Sequence, residues 1–470
     1  MRVFRLFQHH VALSTLLELL ADSLLCYFAA VFVFSALQQG GANPAEMAAR
    51  LGHAPWVHAL GFAAAMLLLY AFVGLYRQAA VAMGFGRVVR RALLALVVGA
   101  YIAYVVLESD LDSQSASYVV ISAMLYLLVG LVVVRLAVAL ISRLVGVPRV
   151  LIVGTGAEAW SVAEDLKTLP RLQRRVVGFY PTAGPVDGRL AGTRIFAREQ
   201  SLEDLVERHG VDEIIVAARE QRGGGVPIDQ LLACRIRGTP ILDLAGFYER
   251  AKAEVPIDSL KASWLVYSQG FVQGPARRTA KRIFDIASSL ILLTVAAPVM
   301  VLTAIAIRLD SPGPIIYRQE RVGLGGRRFM CLKFRSMRTD AEKDGVARWA
   351  TKNDARVTRV GRLIRKTRID ELPQLLSVLK GEMSMVGPRP ERPSFVQELR
   401  EQIPFYDLRH SVKPGVTGWA QVRYSYGSTV EDARRKHQFD LYYVKNNSLF
   451  LDVLVLIETV SVVLFREGAH

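Results

Sequence analysis

The stretch IFDIASSLILLTVAAPVMVLTAIAI, Ile283–Ile307, is apolar enough to cross a bilayer, yet Pro298 sits near its middle. A proline there removes an i→i−4 hydrogen bond and breaks or sharply kinks a helix. Both flanks are basic. Arg277, Arg278, Lys281 and Arg282 precede the stretch, and Arg308, Arg318 and Arg321 follow it. A crossing would export the downstream residues, where Lys and Arg are densest, against the positive-inside rule. A re-entrant helix over 281–309 meets both constraints: it enters the cytoplasmic leaflet, bends at Pro298 and returns. Ser288, Ser289 and Thr294 are at hand for the freed backbone groups. The competing reading is a true fifth span with the C-terminal part outside.

The composition fits a membrane setting. The chain has 470 residues, 52% of them hydrophobic, and a formal net charge of +16. That combination suits a membrane surface or a phosphorylated substrate. Nucleic acid is not expected, since neither zinc-ligand spacing nor an RNA-binding signature occurs. Cys26, Cys234 and Cys331 are far apart and predict neither a disulfide framework nor a metal cluster. Residues 1–146 hold four apolar stretches, Val11–Ala36, Pro55–Tyr76, Ala92–Leu107 and Ser117–Ile141, of which the third is the shortest. Arg2 and Arg5 precede the first. Arg77, Arg87, Arg90 and Arg91 lie between the second and third, and Arg143 and Arg149 follow the fourth. The loop before the fourth carries Glu108, Asp110 and Asp112 and no cation. Both ends of the bundle are therefore expected in the cytoplasm. Glu18, Asp22 and Arg135 are too few to line a transport path, so the region reads as an anchor.

Residues 147–270 read as a Rossmann-like module. RVLIVGTGAEAWSVAEDL begins at Arg149, and RRVVGFY, VDEIIVAA and GTPILDL follow as apolar, strand-like runs with helical stretches between them. That alternation predicts a parallel sheet with helices on its faces. Gly154 and Gly156 would allow a tight turn and the approach of an anionic group to a helix N-terminus. Ala159 replaces the third glycine, and the second strand ends in Gly178-Phe179-Tyr180-Pro181 without a ribose-binding acid. Two readings stand: a nucleotide loop at Gly154 and Gly156, or a regulatory or oligomerisation module without one.

Downstream of the re-entrant stretch, RIDELPQLLSVLKGEMSMVGPRPE sets Asp370 beside Glu371 just ahead of Pro373. Asp is a favoured N-cap, acids suit the positive end of a helix, and proline fits a first turn. The pair is thus either a cap or a catalytic pair, and the two are compatible. Neighbouring helical residues point ~100° apart, so adjacent acids cannot flank one bond as a glycosidase pair does. Their side chains can instead face two different groups. At the C-terminus, SLFLDVLVLIETVSVVLFR, 448–466, carries Ser448, Asp452, Thr459 and Arg466 along one narrow edge. It predicts an interfacial helix, with a buried core helix as the other reading.

Four segments occur in order: KRIFDIASSLILLTVAAPVMVLTAIAIRLDSPGPIIYRQERVG from Lys281, CLKFRSMR from Cys331, TRIDELPQLLSVLKGEMSMVGPRPE from Thr367 and KPGVTGWAQVRYSYG from Lys413. Together they resemble the bacterial sugar transferase family, the monotopic phosphoglycosyl transferases. With the anchor and the Rossmann-like module, the whole chain is similar to its large members, the exopolysaccharide biosynthesis polyprenyl glycosylphosphotransferases. The tail resembles the exosortase-associated subfamily. The resemblance implies a membrane protein of mixed α and α/β class. It would have a transmembrane region over 1–146 and a Rossmann-like, CoA-binding-like module over 147–270. An α-rich monotopic transferase domain would occupy 271–470, ending in an interfacial helix at 448–466.

The resemblance also implies transfer of a sugar 1-phosphate from a UDP-sugar to polyprenyl (undecaprenyl) phosphate, with UMP released. Asp370 would be the nucleophile that forms a phosphosugar-enzyme, and Glu371 would help hold Mg²⁺. Lys333, Arg335 and Arg365 would supply charge near the diphosphate. The loop of Pro388, Arg389 and Pro390 would shape the nucleotide site, and Trp419 would lie at a membrane-proximal level. A direct substrate role for Arg423 is not expected. Implied partners are membrane lipid, other polysaccharide-assembly enzymes and a second copy of the chain. The implied location is the bacterial inner membrane, multi-pass, with the catalytic domain on the cytoplasmic face.

Two further functions stay open on sequence. A membrane nucleotide-sugar dehydratase or epimerase would share the front end, but needs a complete GxGxxG and a YxxxK, which Tyr442-Tyr443-Val444-Lys445 does not supply. A non-catalytic scaffold for polysaccharide assembly would have no use for the intact acid pair.

Overall fold

A computed structural model describes residues 3–6, 9–39, 55–76, 85–108, 113–144, 147–168, 174–218, 225–257, 265, 270–271, 273–341, 354, 356–424, 427 and 429–465. The chain forms two compact units, divided between Ala251 and Lys252 apart from three N-terminal residues.

After two short paired strands at Val3–Leu6 and His9–Ala12, the first unit has four long helices: α1 (Leu13–Gln39), α2 (Pro55–Phe72), α3 (Phe85–Glu108) and α4 (Ser113–Leu144). α1 packs against α2 and α4, and α3 against α2 and α4. Large apolar side chains such as Phe28, Phe32, Tyr101 and Ile121 point outward, as lipid-facing residues do. Helices long and apolar enough to cross a membrane occur within α1, α3 and α4. Sequence reasoning made the third stretch the shortest, and the structure corrects this. The helix of the third stretch begins at Phe85 and takes in Arg90 and Arg91, whereas α2 has only 18 residues. Arg91 is buried and donates to the Val73 carbonyl at the end of α2, which explains why a basic turn can be helical there. The charges judged too sparse to form a path form a clamp instead. Arg135 of α4 binds Asp22 of α1 at 2.8 Å, with Glu18 at 3.8 Å. The Tyr76 hydroxyl donates to the same Asp22 carboxylate at 2.7 Å. An ion pair between helices satisfies charges that would be costly in lipid.

The rest of this unit is a four-stranded parallel sheet of β1 (Arg149–Val153), β2 (Arg175–Tyr180), β3 (Glu213–Val216) and β4 (Ile241–Asp243), in the order β2-β1-β3-β4. α5 (Ala157–Thr168) and α8 (Leu244–Lys252) pack with Val150 and Ile152 on one face. α6 (Leu202–His209) and α7 (Ile228–Ile236) pack with Leu151 and Val153 on the other. Strands covered on both faces read as continuous apolar runs, as these do. Gly154 follows β1 with φ +133°, and a Cβ there would lie 2.6 Å from the Ala217 carbonyl oxygen. The close approach of the segment after β3 therefore requires this glycine without any ligand. Gly156 has no such neighbour; its Cβ would sit 3.4 Å from Glu158 Oε2. Tyr180, where a ribose-binding acid was sought, donates its hydroxyl to the Arg198 carbonyl.

The second unit is led by α9 (Pro275–Asp310), 36 residues long. The helix runs through Pro298 without interruption, so of the break or kink expected there no break occurs. By length and composition α9 joins α1, α3 and α4 as a candidate membrane helix. At ~1.5 Å per residue it extends far beyond a ~30 Å hydrocarbon core. A hairpin follows, β5 (Ile316–Val322) with β6 (Arg328–Phe334), in antiparallel register Tyr317↔Lys333. Next come α10 (Arg359–Lys366), a 3₁₀ turn (Ile369–Glu371) and α11 (Gln374–Lys380). β7 (Ser384–Val386) pairs in parallel with β8 (Gly415–Thr417). Between them lies α12 (Pro393–Gln402), and after them α13 (Trp419–Arg423), α14 (Val430–Asn446) and α15 (Leu449–Phe465).

The core of this unit gathers Leu375, Val378, Met383, Trp419, Tyr442, Leu451 and Val455, and it includes Ala253 and Val255. Trp419 is fully buried, stacks on Tyr442 and donates its indole N–H to the Ala253 carbonyl. The expected membrane-proximal Trp419 is therefore a core residue: its N–H finds a buried carbonyl rather than the headgroup layer. α15 turns its polar residues inward. Asp452, Glu458 and Ser461 are buried, while Val453, Val460, Val463 and Leu464 are exposed.

Candidate active site

The Asp370–Glu371 pair does not cap a helix. Thr367 ends α10, and Arg368 then adopts φ +60°, a left-handed conformation costing a non-glycine residue roughly 1–2 kcal/mol. That reversal throws the chain into the 3₁₀ turn that carries both acids. The N-cap of α11 is Pro373, and no side chain caps it. The cap reading is thus corrected: both acids lie in a strained turn ahead of α11, and both are buried.

Glu371 is surrounded by cations. Its Oε1 accepts from Lys333 Nζ of β6 at 3.1 Å and from Arg389 Nη2 at 2.8 Å, with Arg368 Nη1 at 3.8 Å. Burial raises its pKa, but Arg389, Lys333 and Arg368 outweigh burial and hold it well below the usual carboxylate range. Asp370 is treated differently. Its Oδ1 is buried and has no hydrogen-bond partner among the described residues. Burial first, then the neighbouring Glu371 charge, pushes its pKa up to about 6. Two adjacent acids are thus driven apart, one firmly ionised and one poised near neutrality with an unengaged oxygen.

The loop that presents Arg389 is held by its backbone. The carbonyl of Pro388 accepts from Gly415 N, that of Arg389 from Arg409 Nη2, that of Pro390 from Arg321 Nη1, and that of Glu391 from Val322 N. Pro388 and Pro390 are buried, which leaves the Arg389 side chain as the loop's polar projection toward Glu371. Arg409 is itself buried and paired with Asp440 at 2.8 Å. Asp440 is pushed up to about 6 by burial, against the pull of Arg409.

Of the residues expected near a diphosphate, Lys333 and Arg389 converge on the acids. Arg335 does not: it donates to Ser311 and Pro312 and holds the turn after α9. Arg365, in the last turn of α10, forms no ion pair with either acid among the described residues. Arg423 binds Glu458 at 2.8 Å and lies over the Trp419 ring. Sequence reasoning missed Arg368, Arg321 and Arg409. It also missed a buried network at the foot of α9. Lys281 binds Asp285 at 3.1 Å and Asp452 at 2.9 Å. Asp285 accepts from Ser384 and from the Met385 N–H of β7. The i,i+4 spacing of Lys281 and Asp285 was the available signal; nothing local pointed to Asp452.

Among the described residues no cluster of three or more His, Cys, Asp or Glu could hold a metal. This does not argue against Mg²⁺, which commonly takes one or two carboxylates and fills its shell with substrate phosphate and water. Glu371 would supply one such carboxylate.

Residues 276–466 match the bacterial sugar transferase family, and residues 71–222 match a CoA-binding domain. A UDP-N-acetylgalactosamine-undecaprenyl-phosphate N-acetylgalactosaminephosphotransferase of Aeromonas hydrophila is 42% identical over 55% of this chain and 60% of its own length. An undecaprenyl-phosphate glucose phosphotransferase of Komagataeibacter xylinus is 34% identical over 68% of this chain and 60% of its own length. A UDP-glucose:undecaprenyl-phosphate glucose-1-phosphate transferase of Xanthomonas campestris pv. campestris is 33% identical over 69% of this chain and 68% of its own length. The chain thus spans about 60% of the length of the first two relatives and two thirds of the third. Its acid turn, clamped arginine loop and apolar lead helix all fall inside the matched segment, and the chain belongs to the bacterial sugar transferase family.

Proposed function

We propose that this chain is a phosphoglycosyl transferase that moves a sugar 1-phosphate from a UDP-sugar to polyprenyl (undecaprenyl) phosphate, as the first membrane step of exopolysaccharide biosynthesis. The observation that carries this reading is the buried, unpartnered Asp370 oxygen beside a Glu371 held ionised by Lys333 and Arg389. In the first step an Asp370 oxygen bonds to the β-phosphorus of the donor. The bond from that phosphorus to the bridging oxygen breaks, and UMP leaves with the electron pair. In the second step a phosphate oxygen of the polyprenyl phosphate attacks the same phosphorus and the Asp370 carboxylate leaves. Splitting one displacement into two suits a carboxylate nucleophile. Lys333 and Arg389 orient the diphosphate and offset its charge. Mg²⁺, held by Glu371 and phosphate oxygens, would add further positive charge against the departing diphosphate.

The topology belongs to the same proposal. α9 enters the cytoplasmic leaflet of a bacterial inner membrane, bends at Pro298 and returns, so the acids stay on the cytoplasmic face. α15 lies at that interface with its apolar side outward. Other polysaccharide-assembly enzymes and a second copy of the chain are its expected partners. A cysteine at Leu309 should resist a membrane-impermeant thiol reagent applied from outside cells. Ready labelling would make α9 a true span.

The activity is tested with the full chain in detergent or nanodiscs. UMP release is followed for UDP-linked N-acetylgalactosamine, glucose and galactose. Release should continue through many turnovers only when polyprenyl phosphate and Mg²⁺ are both supplied. No release with any of the donors would overturn the reading.

A further inference from the structure

We infer that α10 is a docking face for the anionic headgroups of the bilayer, and so seats the catalytic turn at a fixed height over the lipid phosphates. This rests on the reading of α9 as inserted in that bilayer. The helix packs inward through Val360 and Ile364, which meet Met300, Ala304 and Ile307 along one side of α9. Its start is tied to the end of α9, because Val360 N donates to the Asp310 carboxylate at 3.2 Å. Gly361 presses so closely on the Ser336 carbonyl that no side chain fits there. The helix is thus fixed beside the last turns of α9, where Leu309 is 83% exposed.

The opposite face is basic. At ~100° per residue, Arg359, Arg362, Leu363 and Lys366 share an arc of about 100°, away from Val360 and Ile364. All four are exposed, Leu363 to 62%. Among the described residues the side chains of Arg359, Arg362 and Lys366 enter no ion pair or hydrogen bond. Three exposed cations around an exposed leucine, next to an apolar helix end, complement an anionic lipid surface and have no evident use in water. Each cation near such a surface favours binding by about 1 kcal/mol, roughly fivefold. Only three residues separate Lys366 from Asp370, so a lipid contact on α10 reaches the acid turn directly.

The test compares wild type with R359Q/R362Q/K366Q and with R359K/R362K. The full chains are reconstituted into phosphatidylcholine nanodiscs with and without phosphatidylglycerol. Native mass spectrometry counts the phosphatidylglycerol molecules retained on release from the disc, without any substrate. UMP release is measured in parallel against polyprenyl phosphate concentration. Wild type and R359K/R362K should retain phosphatidylglycerol several-fold over the glutamine variant. Their KM for polyprenyl phosphate should fall when phosphatidylglycerol is present, and that response should vanish in the glutamine variant. Equal retention by all three proteins would overturn the inference. So would a glutamine variant that keeps its phosphatidylglycerol but shows a raised KM in both discs, which would make the face an acceptor site instead. Retention is read without turnover, so failure of the transferase reading would leave this result intact and recognisable.

Discussion

Asp370→Asn is expected to lower kcat by at least about 10³-fold and to raise, rather than lower, the melting temperature. The two effects share one cause. Burial and the Glu371 charge lift the Asp370 pKa to about 6 from its ordinary value of 3.8. A carboxyl whose folded-state pKa is raised carries no penalty below its unfolded value. It becomes progressively destabilising as pH rises toward the folded value, and fully so above it. Asparagine removes that penalty and fills the same space. Near pH 7.5 the variant should therefore melt higher than wild type, and the gap should close as pH falls through the window from about 6 to 3.8. In wild type, kcat/KM for the donor should fall about tenfold per pH unit below pH 6, as the nucleophile becomes protonated. A variant that melts lower at pH 7.5, or that keeps a tenth of wild-type turnover, would contradict this reading of Asp370.

Lys281→Met should be the most damaging substitution away from the acids. Asp452 is 0% exposed, and Asp285 is buried beside it. Lys281 sets its single positive charge between the two, at 3.1 Å from Asp285 and 2.9 Å from Asp452. Burial already raises the Asp452 pKa against the pull of Lys281. Removing the lysine leaves two buried carboxylates facing each other, a change that typically costs about 3–5 kcal/mol. The loss should appear as a lower melting temperature in detergent, with UMP release falling in proportion to folded protein. Adding Asp452→Asn should restore much of it, because Tyr443 can still donate to the amide oxygen. No recovery in the double variant would mean that Lys281 acts through something other than charge.

The sequence was most legible where physics is local. Runs such as VLIV and IIV, apolar along their whole length, announce strands buried on both faces, and the parallel sheet follows. The acid pair stood out as adjacent carboxylates ahead of Pro373, whereas Lys333 and Arg389 were named only through the resemblance to the sugar transferase motifs. Failures came where distant segments decide. Asp370 looks like a helix cap until the left-handed Arg368 is seen to end α10 and start a separate 3₁₀ turn, with Pro373 as the N-cap of α11. Trp419 looks like an interfacial anchor until Ala253, far back in the chain, supplies a buried carbonyl. The polar edge of α15 suggested a face turned to water; Lys281 and Arg423 instead draw its acids inward and leave the apolar face outside. Arg335 carried the right charge in the right motif, yet its guanidinium holds the turn after α9.

The most direct measurement is the intact mass of the full chain after incubation with a UDP-sugar and Mg²⁺, without polyprenyl phosphate. Wild type should gain the mass of one sugar phosphate, localised to the peptide containing Asp370. The adduct should be lost when polyprenyl phosphate is added, and Asp370→Asn should gain nothing. An unmodified wild type that still turns over, or an adduct that persists in Asp370→Asn, would contradict a covalent route through Asp370.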